Sequence, residues 1–208
     1  MTVEADGPRI GVLAFQGDVR EHLRMLERAG AVGVPVRRVG ELDSLDGMVI
    51  PGGESTTMHK LAVIFDVFEP LRDRIGAGLP ALGTCAGMIM LADRIEGGVA
   101  GQETIGGLDV TVRRNAFGRQ VDSFEADLDI SAIDSGHPRF HAVFIRAPWV
   151  EKLGADVLTL ARVATGPSAG RIVAVRQGSL VATSFHPEIT GDDRIHRHFV
   201  EIVRAAAR

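Results

Sequence analysis

The sequence contains a single cysteine, Cys85, among its 208 residues. One cysteine excludes an internal disulfide and also excludes a zinc site built from cysteines. The hydrophobic fraction of 45% and the charged fraction of 24% are close to those of globular proteins, which argues against disorder. The length is sufficient for one sizeable core or at most two small ones, formed without a disulfide scaffold.

The sequence also lacks a surplus of positive charge. Its 23 basic residues are outnumbered by 27 acidic ones, which gives a net charge of −4 with histidine neutral. Proteins that bind nucleic acid through phosphate contacts usually carry a basic surplus, so nucleic acid is not expected as a partner. No H-E-x-x-H spacing or comparable metal motif is present, and we expect neither a metal nor another cofactor.

Long apolar runs are absent as well. The longest uncharged stretch, residues 75–92, is interrupted by Pro80 and by four glycines, which indicates a strand, a turn and a helix and not a membrane span. The first eight residues include Glu4 and Asp6 and contain no apolar segment, so they do not resemble a secretory signal. We therefore expect a cytoplasmic protein without membrane association.

Glycine is abundant, with 25 residues, and it punctuates an alternation of short apolar runs and helical patterns. In the first half, strands are predicted at 9–14, 34–39, 47–50 and 80–83, and helices at 19–29, in two pieces within 54–76, and at 86–92. In the second half, strands are predicted at 108–113, 119–126, 142–145, 157–164, 171–176 and 180–184, before a final amphipathic helix. This order predicts one α/β domain over residues 1–208, with a flexible N-terminus at 1–8. Its mostly parallel central sheet would be flanked by helices, with antiparallel strands in the C-terminal half.

The cysteine lies between a predicted strand and a predicted helix, in the segment LGTCAG at residues 82–87. Gly83 and Gly87 flank Cys85 at −2 and +2, which is the G-x-C-x-G form of a nucleophile elbow. An elbow exposes the thiol at a helix N-terminus, where the helix dipole favours the thiolate. The backbone N–H of Ala86 then becomes a candidate oxyanion donor. An isolated cysteine is more often a buried core residue, so Cys85 needs a partner to support this interpretation.

A histidine follows the last predicted strand, in the segment TSFHPE at residues 183–188. Pro187 favours an extended backbone at His186, so that Glu188 lies on the same side of the chain and can orient the imidazole. Cys85, His186 and Glu188 are therefore predicted to form a nucleophile, base and orienting carboxylate. The remaining histidines are predicted to be solvated side chains: His22 and His59 on helices, His137 and His141 at a loop, and His196 and His198 on the polar side of the last helix.

The elbow and the H-P-E segment resemble the class I glutamine amidotransferase superfamily. Further segments are similar to the family of glutaminase subunits of pyridoxal 5′-phosphate synthase complexes. They are VLAFQGD at 12–18, PGGEST at 51–56, RNAFGRQ at 114–120 and FIRAP at 144–148. The resemblance extends from about residue 9 to the last helix.

The resemblance implies hydrolysis of L-glutamine to glutamate and ammonia through a thioester on Cys85. It places substrate-binding residues at Gly52, Gly53, Glu54, Arg114, Ile145 and Arg146. A backbone N–H of Gly52 or Gly53 would complete the oxyanion hole with Ala86, and the two arginines match a substrate carboxylate because guanidinium binds carboxylate with two hydrogen bonds. Gln16 is predicted either at the oxyanion loop or at a partner surface.

Free ammonia is mostly protonated in neutral water and is then no nucleophile. The resemblance therefore implies a partner, the synthase subunit, which receives ammonia through a sheltered path within a hetero-oligomer. Two alternatives stay open from the sequence. One is the glutaminase of another pathway, such as that of imidazole glycerol phosphate synthase, and the other is a non-catalytic binding module on the same fold.

Overall fold

The computed structural model describes residues 7–116, 123–130, 132–135 and 138–208. The strands are β1 (Arg9–Leu13), β2 (Val32–Val36), β3 (Gly47–Ile50), β4 (Ala81–Thr84), β5 (Ala92–Glu96), β6 (Leu108–Arg113), β7 (Ser123–Leu128), β8 (Phe140–Ile145), β9 (Trp149–Leu153), β10 (Leu158–Arg162), β11 (Ile172–Gln177) and β12 (Leu180–Thr183). The helices are α1 (Val19–Arg28), α2 (Ser55–Ile64), α3 (Phe68–Gly76), α4 (Ala86–Leu91) and α5 (Arg194–Ala206), with a 3-10 turn at Val39–Glu41.

Ten of these strands form one sheet, in the order β2–β1–β3–β4–β12–β11–β9–β6–β5, with β10 paired to β11. The strands from β2 to β12 along this order are parallel, whereas β11 runs antiparallel to its neighbours β12, β9 and β10. The parallel strands β1, β3, β4 and β12 are almost continuously buried, as expected for strands covered on both faces. The α/β sheet with antiparallel strands in the C-terminal half is thus confirmed.

Helices cover both faces of the parallel part. Helices α1 and α5 pack on one face through side chains such as Leu26, Phe199 and Val203, and the β7–β8 hairpin covers the same face farther along. Helices α2, α3 and α4 pack on the other face, where Met58, Leu71 and other apolar residues are fully buried.

The largest differences from the sequence prediction concern three strands. The predicted strand at 34–39 is wrong in its bounds, because β2 ends at Val36 and Val39 already starts the 3-10 turn. Strands β5 and β9 were not predicted: β5 begins at Ala92 directly after helix α4 with no turn residue between them, and β9 carries charged residues that weaken its apolar signal.

Some predicted features lie outside the described residues: the start of the strand predicted at 119–126, the end of the RNAFGRQ segment, His137 and residues 1–6. Among the described residues, no helix combines the length and the apolar character that a membrane crossing requires.

Candidate active site

The candidate nucleophile and base leave the sheet side by side. Strands β4 and β12 are parallel neighbours in which Thr84 pairs with Thr183. The backbone N–H of Cys85 donates to the carbonyl oxygen of Thr183 over 2.8 Å, so the pairing continues to the nucleophile. His186 follows three residues after Thr183, and both side chains therefore emerge at the carboxyl edge, where ligand sites of open α/β sheets lie.

The turn at Cys85 has the strained geometry of an elbow. Its φ of 48° and ψ of −104° are unusual for a residue with a Cβ atom. A Cβ atom on Gly83 would lie 2.5 Å from the carbonyl oxygen of Gly87, and one on Gly87 would overlap the carbonyl oxygen of Ile50. The two flanking glycines are therefore required for the close approach of α4 to β3 and β4.

His186 and Glu188 form a short hydrogen bond. Nδ1 of His186 lies 2.7 Å from Oε1 of Glu188, and both side chains are almost fully buried. Burial alone would lower the pKa of His186, but hydrogen bonds with Cys85 and Glu188, together with their charges, raise it to about 10. Burial raises the pKa of Glu188, and the bond from His186 opposes that rise. The arrangement favours the charged imidazolium form of His186, held by the carboxylate of Glu188.

Two further groups approach the imidazole of His186. A carboxylate oxygen of Asp18, Oδ2, lies 3.6 Å from its Nδ1. Gly52 lies against the ring, because a Cβ atom at this position would overlap Cε1 of His186. Asp18 occupies the N-cap position of α1, yet its side chain makes no capping bond and approaches His186 instead.

A cavity of about 100 Å³ opens beside the thiol. Its lining includes most of the predicted site residues, namely Gly53, Glu54, Cys85, Ala86, Arg114, Ile145 and Arg146. The thiol Sγ lies 3.8 Å from the carbonyl oxygen of Ile145, a weak hydrogen bond. The structure thus gathers residues from four separate segments around the Cys85 thiol.

Backbone strain concentrates at this cavity. Four non-glycine residues in the described part of the chain have a positive φ, and three of them, Cys85, Asn115 and Arg146, line the cavity. Such strain costs about 1–3 kcal/mol per residue and persists only where the surrounding structure enforces it. The cavity wall is therefore held in a specific shape before any ligand enters.

Arg114 is tied to its surroundings by side chains from α2 and the loop after β5. Its Nη2 donates to Oε1 of Glu54 over 2.9 Å, and its Nη1 donates to Oε1 of Gln102 over 2.7 Å. Burial acts to raise the pKa of Glu54, but N–H groups of Thr57 and Thr56 lower it to about 2, so the carboxylate stays charged. The same carboxylate caps the N-terminus of α2.

Gln16 lies at the predicted oxyanion loop. Its amide Nε2 donates to the carbonyl oxygen of Glu54 over 3.3 Å. Gly53 has a φ of 144°, and a Cβ atom there would lie 2.5 Å from Nε2 of Gln16. Gln16 therefore contacts the loop that carries the candidate oxyanion donor. Phe15, the preceding residue, stacks on Phe65 with ring centroids 5.4 Å apart. We treat a role of Gln16 at the oxyanion loop and a role at a partner surface both as proposals.

Two histidines predicted to be solvated are fully buried instead. His22 on α1 and His196 on α5 both have zero exposure. Each occupies an apolar stripe: His22 lies at helical spacing from Met25 and Leu26, and His196 likewise from Phe199. This helical spacing predicts that both histidines are buried, whereas the polar character of histidine favoured a solvated position.

One group near the site has the composition of a metal site. Ligand atoms of Asp18, His186 and Glu188 lie within 4.8 Å of one another. The imidazole nitrogen in this group, Nδ1 of His186, is also the atom that bonds Glu188. A proton between the two atoms accounts for the cluster, and we assign it to acid–base chemistry.

Comparisons with known proteins agree with this geometry. Residues 12–205 match the SNO glutamine amidotransferase family. The chain is similar to the pyridoxal 5′-phosphate synthase subunit PdxT of Acidothermus cellulolyticus, with 63% identity over 208 residues and full coverage of both chains. The subunit of the same name from Kineococcus radiotolerans is 64% identical over 197 residues, which is 95% of each chain.

Solved structures extend the comparison to the fold. A crystal structure of a glutamine amidotransferase superposes with a TM-score of 0.83 and 46% identity, covering 94% of this chain and 98% of that one. A putative GMP synthase subunit from Thermoplasma acidophilum has a TM-score of 0.65 and 19% identity over 96% and 95% of the chains, which shows a shared fold alone. On its sequence, and with the cysteine elbow at the expected sheet edge, this chain belongs to the SNO family of glutamine amidotransferases.

Proposed function

We propose that this chain is the glutaminase subunit of a pyridoxal 5′-phosphate synthase. It hydrolyses L-glutamine to L-glutamate and ammonia and delivers the ammonia to a synthase subunit that builds the vitamin B6 cofactor. Family membership supports this function. The observation that carries it is the pairing of β4 with β12, which sets Cys85 beside the bonded pair of His186 and Glu188.

The first half of the reaction is acylation. The thiolate sulfur of Cys85 attacks the side-chain amide carbon of glutamine, and the developing oxyanion accepts hydrogen bonds from the backbone N–H groups of Ala86 and Gly53. His186, as imidazolium, then gives its proton to the amide nitrogen, and the C–N bond breaks to release ammonia and leave a thioester.

The second half is hydrolysis of the thioester. His186, now neutral, takes a proton from water, whose oxygen attacks the thioester carbon. The C–S bond breaks, glutamate leaves and the thiolate is restored beside the reprotonated imidazole. Glu188 accepts the Nδ1–H of His186 throughout and stabilises the imidazolium.

Substrate recognition uses the cavity wall. We assign Gly52, Gly53, Glu54, Ile145 and the two arginines to glutamine binding. Arg114 and Arg146 supply positive charge for the α-carboxylate, and Glu54 holds Arg114 in place. Gln16 supports the oxyanion loop through its bond to Glu54.

We further propose that residues 1–208 act as one domain, because a single ten-stranded sheet connects the two halves. Since Cys85 is a free thiol, a reducing compartment suits it, and we propose that the chain acts in the cytoplasm.

The decisive experiment compares two nitrogen sources in the complex with the synthase subunit. Cys85→Ala should abolish cofactor synthesis from glutamine and leave synthesis from an ammonium salt intact. Retained glutamine turnover would overturn the mechanism. Activation of glutamine hydrolysis by the acceptor subunit of imidazole glycerol phosphate synthase, and not by the pyridoxal phosphate synthase subunit, would assign the chain to another pathway.

A further inference from the structure

Two buried histidines, His22 and His196, lie next to Cys85, His186 and Glu188, and His22 approaches the Glu188 oxygen that does not bond His186. Nδ1 of His22 lies 2.9 Å from Nε2 of His196, so α1 and α5 meet through this pair. Nε2 of His22 lies 3.4 Å from Oε2 of Glu188 and 3.2 Å from the hydroxyl oxygen of Thr84. His22 therefore touches both the orienting carboxylate and the residue that precedes the nucleophile.

The second carboxylate oxygen of Glu188 needs this contact. Oε1 accepts the hydrogen bond from His186, whereas Oε2 is buried and has no closer hydrogen-bond partner among the residues that the structure describes. A buried carboxylate oxygen without a donor is costly. The contact of 3.4 Å between Nε2 of His22 and Oε2 of Glu188 is not a hydrogen bond in the resting structure, but poorly aligned contacts of this kind often tighten during the reaction.

The surroundings determine how the two imidazoles are protonated. Burial lowers the pKa of His22 well below its usual value, and the neighbouring His196 and His186 lower it further. Burial lowers the pKa of His196 to about 3, so both rings are neutral. Each ring then carries one N–H group.

Only one assignment of these hydrogens both places a donor near the carboxylate and keeps a hydrogen bond between the two rings. With Nε2–H on both rings, His196 donates to Nδ1 of His22, and His22 donates to the hydroxyl oxygen of Thr84 with the same N–H group 3.4 Å from Oε2 of Glu188. The atom left without a partner among the described residues is then Nδ1 of His196, an acceptor. The opposite assignment would point a lone pair at Oε2 and leave a buried N–H unpaired, which is rare in proteins.

We propose that His22, held by His196, is a positioning residue that fixes the carboxylate of Glu188 against His186. A neutral donor suits this role because it orients Glu188 without cancelling the negative charge that stabilises the imidazolium. A cation at the same place would compete with His186 for the carboxylate. The inference rests on the proposed function, in which Glu188 orients the base.

The test replaces His22 with two residues whose side-chain amides reach the positions of different nitrogens of the imidazole ring. Glutamine in His22→Gln can place an N–H near the former Nε2 and so retain the donor toward Glu188, whereas asparagine in His22→Asn reaches only as far as Nδ1. His198→Asn is the matched control, since His198 lies on α5, as His196 does, but is not part of the His22–His196 pair. All variants are assayed for glutamine hydrolysis in the complex with the synthase subunit, and their thermal unfolding is measured in parallel.

We expect His22→Asn to lower kcat by about 10- to 100-fold with KM changed by less than about threefold, because a small misplacement of a catalytic group slows chemistry more than binding. His22→Gln should recover activity to within about fivefold of the parent. The acid limb of the pH profile should move to higher pH in His22→Asn, because Glu188, which faces His186, His22 and Asp18, loses a donor to its charged form.

Alkylation provides a readout that does not depend on glutamine. Because the chain has a single cysteine, the rate of its modification by iodoacetamide reports on Cys85 alone. This rate at neutral pH should fall in His22→Asn and not in His198→Asn. Equal kcat, pH profile and alkylation rate in His22→Asn and the parent would overturn the inference, as would a His22→Gln variant that is folded but no more active than His22→Asn. If Cys85→Ala also retained glutamine turnover, the proposed function itself would fail.

Discussion

Nη2 of Arg114 donates to Oε1 of Glu54 over 2.9 Å at the wall of the cavity that holds the Cys85 thiol. The Arg114 side chain is 12% exposed, so the pair is partly shielded from solvent. Because the pKa of Glu54 is about 2, this ion pair persists over the whole working range of pH. A guanidinium held in this way is oriented before substrate arrives, and this preorganisation can be tested directly.

Arg114→Lys retains the positive charge and loses the planar fork that bonds Glu54 and Gln102 and that we assign to the substrate carboxylate. We expect KM for glutamine to rise by about tenfold or more, with kcat within about threefold, as measured by steady-state glutaminase kinetics. Arg113→Lys is the control, since Arg113 is half exposed and pairs with Glu96 and Glu151 outside the cavity. An unchanged KM in Arg114→Lys would remove Arg114 from the binding site.

Gly52→Ala tests the contact between the oxyanion loop and the base. The added Cβ atom would overlap Cε1 of His186, so either the loop or the imidazole must move. We expect kcat/KM to fall about 100-fold or more and stability to fall by about 1–3 kcal/mol, measured by glutaminase assay and by denaturant unfolding.

The matched control for that variant is Gly76→Ala at the end of α3. No heavy atom lies within 4 Å of a Cβ atom built at Gly76. This variant should be fully active and more stable by about 0.4–1 kcal/mol, because alanine reduces the conformational freedom of the unfolded chain. A fully active Gly52→Ala enzyme would show that the loop is free to move away from His186.

The raised pKa of His186 predicts how activity and stability depend on pH. Because the folded pKa is about 10 and the unfolded value about 6.5, the charged imidazole contributes stability that is complete below about pH 6.5 and disappears as the pH rises toward 10. Glutaminase activity should fall on its basic side near pH 10, when His186 loses the proton that it gives to the amide nitrogen of the leaving group. The free energy of unfolding should decrease more steeply between pH 7 and 10 in the parent than in His186→Gln. If the free energy of unfolding depended on pH equally in both proteins, a charged pair of His186 and Glu188 would be contradicted.

An exposed apolar cluster at the end of α2 suggests where the synthase subunit docks. Val63, Ile64 and Phe65 are 49%, 70% and 51% exposed, and Phe65 stacks on Phe15, the neighbour of Gln16. Ile64→Ser should weaken the affinity for the synthase subunit by about fivefold or more, as titrated by stimulation of glutamine hydrolysis. Basal hydrolysis by the free chain should stay within about twofold. Leu158→Ser, at a 63% exposed position on β10, is the control, and equal affinities of the two variants would place docking elsewhere.

Much of the fold near the site can be predicted from sequence because it is built from local signals. Strands β3 and β6 have the predicted bounds, since each is a short apolar run ended by glycine, proline or charged residues. The elbow at Cys85 likewise follows from its two flanking glycines. The strand β5 escaped prediction because a helix changes into a strand at a single residue, Ala92, without turn residues.

The part of the site that the sequence does not predict depends on contacts between residues that are far apart along the chain. His22 and His196 are 174 residues apart, and neither carries a local pattern that announces its partner. The ion pair of Arg114 with Glu54 spans 60 residues and depends on a loop that returns to α2. Residue types and a family resemblance predict the reacting groups from the sequence, whereas the contacts that hold those side chains in place follow only from the three-dimensional fold.

The hydrogen bond from Cys85 to Thr183 makes the gap between nucleophile and base a property of the main chain. Neighbouring strands lie about 4.8 Å apart whatever side chains fill the core. Substitutions of core residues that pack on the sheet can therefore lower the melting temperature while the distance between Cys85 and His186 is kept. Heat inactivation of this protein should accordingly coincide with the unfolding of its sheet and not precede it. The remaining activity then measures the fraction of molecules with a folded backbone.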